Sequence, residues 1–296
     1  MAVLSAYKTT SDSPAHAVLL LSCPDRRGVV AAVAAFLAEN DGNIVHAEQH
    51  VDAIEGIFFQ RVEFDLDGFA IPRDEILHAL APVIERLHIN AQLHFTDERP
   101  RVAVLASRQP HCLYDLLTRW RTGELNADLG VVIANHPDHA GICAHMEVPY
   151  VYLPVDPVDR DAQEAAVIAE LQHHDIDLVV LARYMRILSG AVVSLYRNRM
   201  INIHHSFLPA FIGANPYRQA FERGVKLIGA TAHYVTEELD EGPIIEQEVA
   251  RVTHREGVTE LTRRGRDLET IVLARAVRAH LEHRVLVYGR KTVVFN

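Results

Sequence analysis

The sequence predicts an α/β protein with two domains that differ in the type of β-sheet. The chain has 296 residues, which favours more than one domain, and its 49% of apolar residues is enough for sizeable cores. The pattern changes near residue 96. Before that point the order of strands and helices is βαββαβ, and after it short apolar strands alternate with helical stretches. We therefore expect one domain in each half.

The first half, residues 16–95, is predicted to form the smaller domain. Apolar residues recur at helical spacing in two stretches, 29–39 and 73–87. An Asp-Gly-Asn turn signal at 41–43 follows the first of them. Four stretches have the length and composition of strands: 17–23, 44–51, 57–65 and 89–95. Together these elements have the order of the ferredoxin-like fold.

The second half is predicted to form a doubly wound, mostly parallel sheet. Helical patterns lie between most of five short apolar stretches: 102–106, 130–134, 150–153, 178–182 and 201–203. Such alternation is typical of a parallel sheet covered by helices on both faces, with the ligand beyond the carboxyl ends of the strands. The predicted division is an N-terminal tail (1–15), the first domain (16–95), a polar linker ending in proline (96–100) and the second domain (101–296).

Composition excludes several classes of function. The net charge of -10 argues against nucleic acid as a partner, because a protein that binds phosphates needs a basic face. Residues 1–13 lack the pattern of a signal peptide, and no apolar segment approaches the length that spans a membrane. Cys23, Cys112 and Cys143 form no CxxC pair and are interpreted as buried thiols. We expect a cytoplasmic protein without a membrane partner.

Asn202 and His204 are the first candidate pair for catalysis. They stand two residues apart at the end of a predicted strand, so their side chains point to the same face. An amide N–H and an imidazolium N–H can both stabilise a developing oxyanion. Each residue alone is more often a structural hydrogen-bonding group, but the pair at the end of a central strand favours a catalytic role.

Two other segments are candidates for the same site. An acidic loop contains Asp240 just before a Gly-Pro turn, and a carboxylate held there could act as a general base. The other acidic residues of the loop are interpreted as solvated. The segment 181–189, LARYMRILS, follows a buried strand and carries two arginines. It is interpreted either as a helix start with solvated arginines or as the wall of a pocket for a flat heterocycle.

These segments resemble the catalytic motifs of a known family. Residues 202–209 read NIHxSxLP, and residues 233–243 read HxVTxELDxGP. Together with the MRIL segment upstream, these strings resemble the catalytic segments of the formyltransferase domain of folate-dependent formyl-transfer enzymes. That resemblance covers residues 101–283. Residues 25–44, DRRGVVAAVAAFLAENDGNI, resemble an ACT domain. The combination of the two domains resembles the formyltetrahydrofolate deformylases.

The resemblance implies a function for each candidate residue. It implies a hydrolase of one-carbon metabolism and purine biosynthesis that cleaves 10-formyltetrahydrofolate at an amide C–N bond, without cofactor or metal. Asn202 and His204 would stabilise the oxyanion, and Asp240 would activate water. The folate would bind to Met185, Arg186, Ile187, Leu188, Thr236 and Glu237. The ACT resemblance implies a homo-oligomer with a possible amino-acid effector near Asp25, Gly28, Asn43 and Ile44.

One departure from the transferases favours water as the acceptor. In those enzymes a Gly/Ser/Asn-rich loop holds the phosphate of the acceptor, whereas residues 107–113 read SRQPHCL here, without glycine. Pro110 also removes a backbone donor from this loop. Two alternatives stay open: a formyltransferase with a small amine acceptor, and a non-catalytic amino-acid sensor. A metal site is not expected, because the adjacent His pairs at 173–174 and 204–205 lack the i,i+4 spacing of a helical metal site.

Overall fold

The computed structural model describes residues 15–155, 160–209 and 216–296. Residues 1–14 lie outside the described residues. They include most of the predicted N-terminal tail and the stretch 1–13 that was compared with signal peptides. The chain divides into two compact units. The first comprises residues up to 99 with 282–286 and 293–296, and the second comprises residues 100–281 with 287–292.

The first unit has the predicted βαββαβ order. Its elements are β1 (His16–Pro24), α1 (Val29–Glu39), β2 (Ile44–Asp52), β3 (Ile57–Asp65), α2 (Ile76–Leu87) and β4 (Asn90–Phe95). The sheet is antiparallel in the order β2-β3-β1-β4. Alternate residues of β1 such as Leu19 and Leu21 pack against Phe36 and Leu37 of α1 and Leu80 of α2, which buries one face of the sheet under the helices.

The second unit contains a seven-stranded sheet in the order β11-β10-β9-β8-β5-β6-β7. Strands β5 to β9 pair in parallel, whereas β10 and β11 are antiparallel at one edge. The mostly parallel sheet predicted from the sequence is therefore confirmed. Its elements are β5 (Arg101–Ala106), α3 (His111–Arg121), β6 (Asp128–Ala134), α4 (Ala140–His145), β7 (Tyr150–Tyr152), α5 (Arg160–His173), β8 (Leu178–Ala182), α6 (Gly190–Leu195), β9 (Met200–His204), α7 (Pro216–Arg223), β10 (Leu227–Tyr234), β11 (Ile244–Arg251) and α8 (Val258–Leu281), followed by the hairpin β12 (Val285–Tyr288) and β13 (Lys291–Val294).

Helices cover both faces of this sheet because the strands are apolar on both sides. Leu105 of β5 packs with Val167 of α5 and Val192 of α6. The preceding residue, Val104, faces the opposite layer with Leu116 of α3 and Val277 of α8. No described helix combines the length and the apolar character needed to cross a membrane.

The strand order locates the crevice in which a doubly wound sheet binds its ligand. From β5 the chain moves to β6 and β7 on one side and then returns to β8 on the other side. The strand order therefore reverses between β5 and β8, and a doubly wound sheet binds its ligand at the carboxyl edge beside such a reversal. The end of β9 lies beside that of β8 at the same edge.

The C-terminal residues differ from the division made on the sequence, which assigned all of 101–296 to the second domain. Residues 282–286 and 293–296 belong to the first unit. Arg61 of β3 donates from Nε to the carbonyl oxygen of His283 at 3.1 Å, and the ring of His94 stacks on that of His283 with centroids 3.9 Å apart. Since these contacts join residues about 200 positions apart, no local sequence pattern reports them.

Candidate active site

Strand β9 presents Asn202 and His204 on one face, as their spacing predicts. Buried residues on either side, Ile201 and Ile203, anchor the strand in the sheet. Strand β10 runs antiparallel beside it, so that His233 lies directly opposite Asn202. The pair is therefore held at the carboxyl end of a central strand, next to the crevice.

The loop between β10 and β11 carries Asp240 to this pair. The Tyr234 N–H donates to the carbonyl oxygen of Pro243 at 2.9 Å and closes the base of the loop. A Cβ atom on Gly242 would lie 1.7 Å from the Tyr234 carbonyl oxygen, so only glycine fits this approach. Asp240 itself has a φ of 57°, in the left-handed region that Asp tolerates better than most residues. The Gly-Pro turn recognised in the sequence thus fixes the position of the carboxylate.

Asp240 forms an ion-pair contact with His204. Its Oδ2 lies 3.2 Å from Nδ1 of His204, and its Oδ1 lies 3.6 Å from Nε2 of His233. Burial by itself would raise the pKa of Asp240, but the His204 and His233 rings beside the carboxylate outweigh burial and hold that pKa well below its ordinary value. The carboxylate is therefore ionised at neutral pH.

The contact with Asp240 leaves the other nitrogen of His204 unused. Nδ1 faces the carboxylate, so it carries a proton, while Nε2 is buried and has no hydrogen-bond partner within the described part of the chain. Both nitrogens can donate only when the ring is an imidazolium. In that form the ring offers one N–H donor to a group that enters the cleft.

His233 is a site residue that our sequence analysis missed. Its Nδ1 donates to the Tyr234 carbonyl oxygen at 2.9 Å, and in this tautomer Nε2 is an acceptor. Nδ2 of Asn202 lies 3.3 Å from that Nε2 and donates to it. This bond orients the Asn202 amide and leaves its second N–H available. His233 is the first residue of the HxVT string, so the motif could have indicated it. Its partner Asn202 lies on another strand, however, and the sequence alone does not show that contact.

The segment 183–188 after β8 lines the cleft as an irregular strap. Helix α6 begins only at Gly190, so the interpretation of this segment as a helix start was wrong. Arg183 has a φ of 60°, and the Met185 N–H donates to Oγ of Ser107 at 3.1 Å. That bond ties the strap to the loop after β5. Met185 and Ile187 are 57% and 61% exposed, which leaves apolar surface open to a ligand.

The cleft brings together every residue selected from the sequence for catalysis or for folate binding. It has a volume of about 280 Å³. The selected residues that line it are Met185, Arg186, Ile187, Leu188, Asn202, His204, Thr236, Glu237 and Asp240. Tyr184, His205, His233 and Leu239 also line it and were not selected. A concave, largely apolar cleft with a few converging polar groups is the form expected of a small-molecule site.

One group of possible metal ligands occurs among the described residues: His111, Cys112 and Glu269, whose ligand atoms lie within 4.8 Å of one another. The Arg183 guanidinium, 3.3 Å from the Glu269 carboxylate, already supplies a positive charge there. Burial raises the pKa of the Cys112 thiol well above its ordinary value, so the thiolate that binds metals is disfavoured. We interpret this group as a buried, ion-paired carboxylate.

The residues selected for an effector form two separate pairs in one copy of the first unit. Gly28, with a φ of 92°, precedes α1, and the Asp25 N–H donates to the Gly56 carbonyl oxygen at 2.8 Å. Asn43 donates from Nδ2 to Asp65 at 2.7 Å, and Ile44 is 39% exposed at the start of edge strand β2.

Strand pairing shows that these two pairs lie at opposite ends of β3. Pro24 pairs with Ile57 at one end and Ile44 pairs with Phe64 at the other, a separation of roughly 23 Å for an extended strand. A single copy therefore does not bring the two pairs together. A shared effector site would need a second copy of the domain.

Comparisons with known proteins agree with this architecture. Residues 17–83 match the ACT domain family, and residues 100–277 match the formyl transferase family. A formyltetrahydrofolate deformylase of Synechocystis sp. is 54% identical over 279 residues, which are 94% of this chain and 98% of the relative. The formyltetrahydrofolate deformylase of Bacillus subtilis (strain 168) is 48% identical over 94% of this chain and 93% of its own length.

A solved structure extends the likeness to the fold. The crystal structure of a formyltetrahydrofolate deformylase from Pseudomonas syringae pv. tomato matches with a TM-score of 0.94 and 48% identity, over 97% of this chain and 96% of that one. An ACT domain followed by a formyl transferase domain, full-length relatives with this identity and a matching fold lead to one conclusion. The chain belongs to the formyltetrahydrofolate deformylase family.

Proposed function

We propose that this enzyme hydrolyses 10-formyltetrahydrofolate to tetrahydrofolate and formate, with the reacting carbon held between Asn202, His204 and Asp240. The observation that carries the proposal is the ion-paired His204–Asp240 couple, 3.2 Å apart, at the polar end of a cleft with an apolar strap. It supports the proposal because an N–H donor and an ionised carboxylate side by side can both reach one reacting group. The cytoplasmic location expected from the sequence stays a prediction.

In the proposed reaction, a water oxygen bonds to the formyl carbon and the carbonyl becomes an oxyanion. The C–N10 bond then breaks, N10 takes the proton that Asp240 accepted from the water, and formate leaves. The second N–H of Asn202 and Nε2–H of His204 are the two donors for the oxyanion. A single donor of this kind contributes about 3–4 kcal/mol to the stability of the transition state.

Asp240 is the proposed base because one of its oxygens is still available. Oδ2 faces His204, while Oδ1 lies 3.6 Å from His233, a ring whose Nε2 already accepts from Asn202. A carboxylate of low pKa is a weak base. The attacking water becomes strongly acidic as its oxygen bonds to carbon, however, so the carboxylate can accept the proton at that stage.

Folate binding is proposed to use the strap and the loop that carries Asp240. Met185, Ile187 and Leu188 offer apolar surface to the flat pterin, and Thr236 and Glu237 border the same cleft. Arg186 is exposed at the rim, where its guanidinium can pair with the carboxylates of the folate tail.

The alternative acceptor, a small amine, is less well supported than water. In a transferase the loop after β5 binds the acceptor, but here Ser107 of that loop has partners within the protein. Ser107 accepts Nε2–H of His139 on its carbonyl oxygen at 2.6 Å and the Met185 N–H on its Oγ. The non-catalytic alternative is disfavoured because Asn202, His204 and Asp240 are all present, with His204 in contact with Asp240 and Asn202 hydrogen-bonded to the neighbouring His233.

The test is to incubate the enzyme with 10-formyltetrahydrofolate alone and to measure formate. We expect stoichiometric formate and tetrahydrofolate without an added amine, and an unchanged rate in the presence of a chelator, since the proposed reaction uses no metal or cofactor. Glycinamide and free amino acids are added in parallel, and formylated amine is measured. Formate production that requires an amine, or formylated amine as the main product, would make the enzyme a transferase.

We further propose that the first unit binds an amino-acid effector between two copies of the chain. The N-terminus of α1 after Gly28 offers free N–H groups to a carboxylate, and the start of β2 at Asn43 and Ile44 is exposed. Because one copy holds these parts at opposite ends of the sheet, a second copy must supply one of them. A homo-oligomer paired through this unit follows from the proposal.

Gly28→Asp is expected to abolish the response to the effector and to leave the basal rate nearly unchanged. The new carboxylate would repel the carboxylate of an amino acid at the helix N-terminus. The measurement is the hydrolysis rate in a screen of the common amino acids. Gly68→Asp is the matched control, because Gly68 also has positive φ and open space around its Cα. If no amino acid alters the rate of the wild-type enzyme, the unit acts as a scaffold and the regulatory proposal fails.

A further inference from the structure

A second cavity adjoins the reaction cleft and is rich in arginine. It has a volume of about 470 Å³ and is lined by residues of α3, α7 and α8 as well as by the strap. Three guanidinium groups, those of Arg183, Arg218 and Arg266, border it, whereas Glu269 is the one carboxylate among its described lining residues. We call it the basic cavity.

The single carboxylate is already neutralised by its neighbours. Glu269 is 1% exposed, accepts hydrogen bonds from His111 at 2.7 Å and from the Tyr217 hydroxyl, and has the Arg183 guanidinium 3.3 Å away. Burial alone would raise its pKa, but His111, Arg183 and Tyr217 together lower it, so it is ionised and fully paired. It leaves the other two guanidinium groups without a counter-charge inside the cavity.

These two arginines are available to a ligand. Arg266 forms no ion pair with any residue in the described ranges 15–155, 160–209 and 216–296. Arg218 pairs with Glu222 at 3.1 Å, but both side chains are largely exposed, and such a pair on one helix contributes little. Guanidinium groups in this situation bind carboxylates well, since their paired N–H donors match the two carboxylate oxygens.

The basic cavity meets the reaction cleft at Arg183, Met185 and His205, which border both. The His205 ring lies 5.0 Å from that of His204, centroid to centroid. Burial, with the nearby positive charge of Arg183, lowers the pKa of His205 to about 4. The His205 ring at the junction is therefore neutral and adds no positive charge of its own there.

We propose that the basic cavity is a binding site for a small carboxylate, and that it receives the formate released in the adjoining cleft. The proposal rests on the proposed function for the identity of the anion. Formate has three non-hydrogen atoms, so its dissociation constant can at best be on the order of 1 mM. Such weak binding suits a product that must leave, and it predicts inhibition by formate at millimolar concentrations.

The test measures hydrolysis at increasing sodium formate, with ionic strength held constant by sodium chloride. The variant is Arg218→Gln/Arg266→Gln. We expect its inhibition constant for formate to rise at least about fivefold, because two charge-assisted contacts are lost, while kcat/KM without formate stays within about twofold. The matched control is Arg223→Gln/Arg263→Gln, which removes one charge from each of the same two helices outside the cavity.

A second measurement is independent of turnover: titration of the enzyme with ¹³C-formate, followed by NMR line broadening. Binding that is weakened in the test variant and unchanged in the control supports the site, even if the substrate of the enzyme proves to be different. Equal weakening in both variants would show only nonspecific attraction of formate to surface arginines. Equal weakening would overturn the proposal. So would unaltered binding in the test variant, or the absence of formate binding at concentrations up to 100-fold above about 1 mM.

Discussion

Asp240→Asn is expected to lower the turnover number at least about 10²-fold while folate still binds, because the loss of a general base typically costs a factor of about 10²–10⁴. The change keeps the shape of the side chain and removes the charge that pairs with His204 at 3.2 Å. Turnover is measured by formate release, and folate binding by equilibrium titration with tetrahydrofolate. Glu241→Gln is the control, since Glu241 lies in the same loop but pairs with exposed Arg290.

The same variant has a predicted effect on stability with a defined pH dependence. The folded protein lowers the pKa of Asp240, so ionisation of this group stabilises the fold above its ordinary pKa of 3.8, and the stabilisation is lost as the pH falls through the folded-state pKa. We expect Asp240→Asn to melt at a lower temperature than the wild type at neutral pH, with a difference that shrinks in acid. Near-normal turnover in a folded Asp240→Asn variant would show that Asp240 is not the general base and would assign that role to a neighbouring Glu.

The double variant Asn202→Ala/His204→Ala is expected to lose less activity than the product of the single losses. Each single change removes a donor from one oxyanion and should cost about 10²–10³-fold in turnover. The second substitution should cost less than it does alone, because the first one already leaves the oxyanion poorly stabilised. The measurement is a double-mutant cycle on kcat, with each variant checked for folding by its melting curve.

A second cycle provides the contrast. Asn202→Ala combined with Arg186→Gln joins a transition-state donor to a side chain proposed to bind the folate tail, so the two losses in kcat/KM should multiply. Strictly multiplicative losses for Asn202 and His204 would mean that they act on different steps. The hydrogen bond from Asn202 to His233, which in turn lies near Asp240, makes the shared role the physical expectation.

The sequence by itself determined the fold class of both halves and the elements that carry the site. The continuous apolar run at 102–106 indicates that both faces of this strand are buried, because side chains on a strand alternate between its two sides. Spacing placed Asn202 and His204 on one face for the same reason. The Gly-Pro turn after Asp240 was visible because glycine and proline restrict the backbone locally.

Only the tertiary structure decided which elements meet. The partnership of Asn202 with His233 depends on β10 lying beside β9, and the partnership of His111 with Glu269 joins helices α3 and α8. The assignment of residues 282–286 and 293–296 to the first unit has the same origin. A residue's spacing describes its own helix or strand, whereas its partners across the fold follow from the order of strands in the sheet, which no local pattern contains.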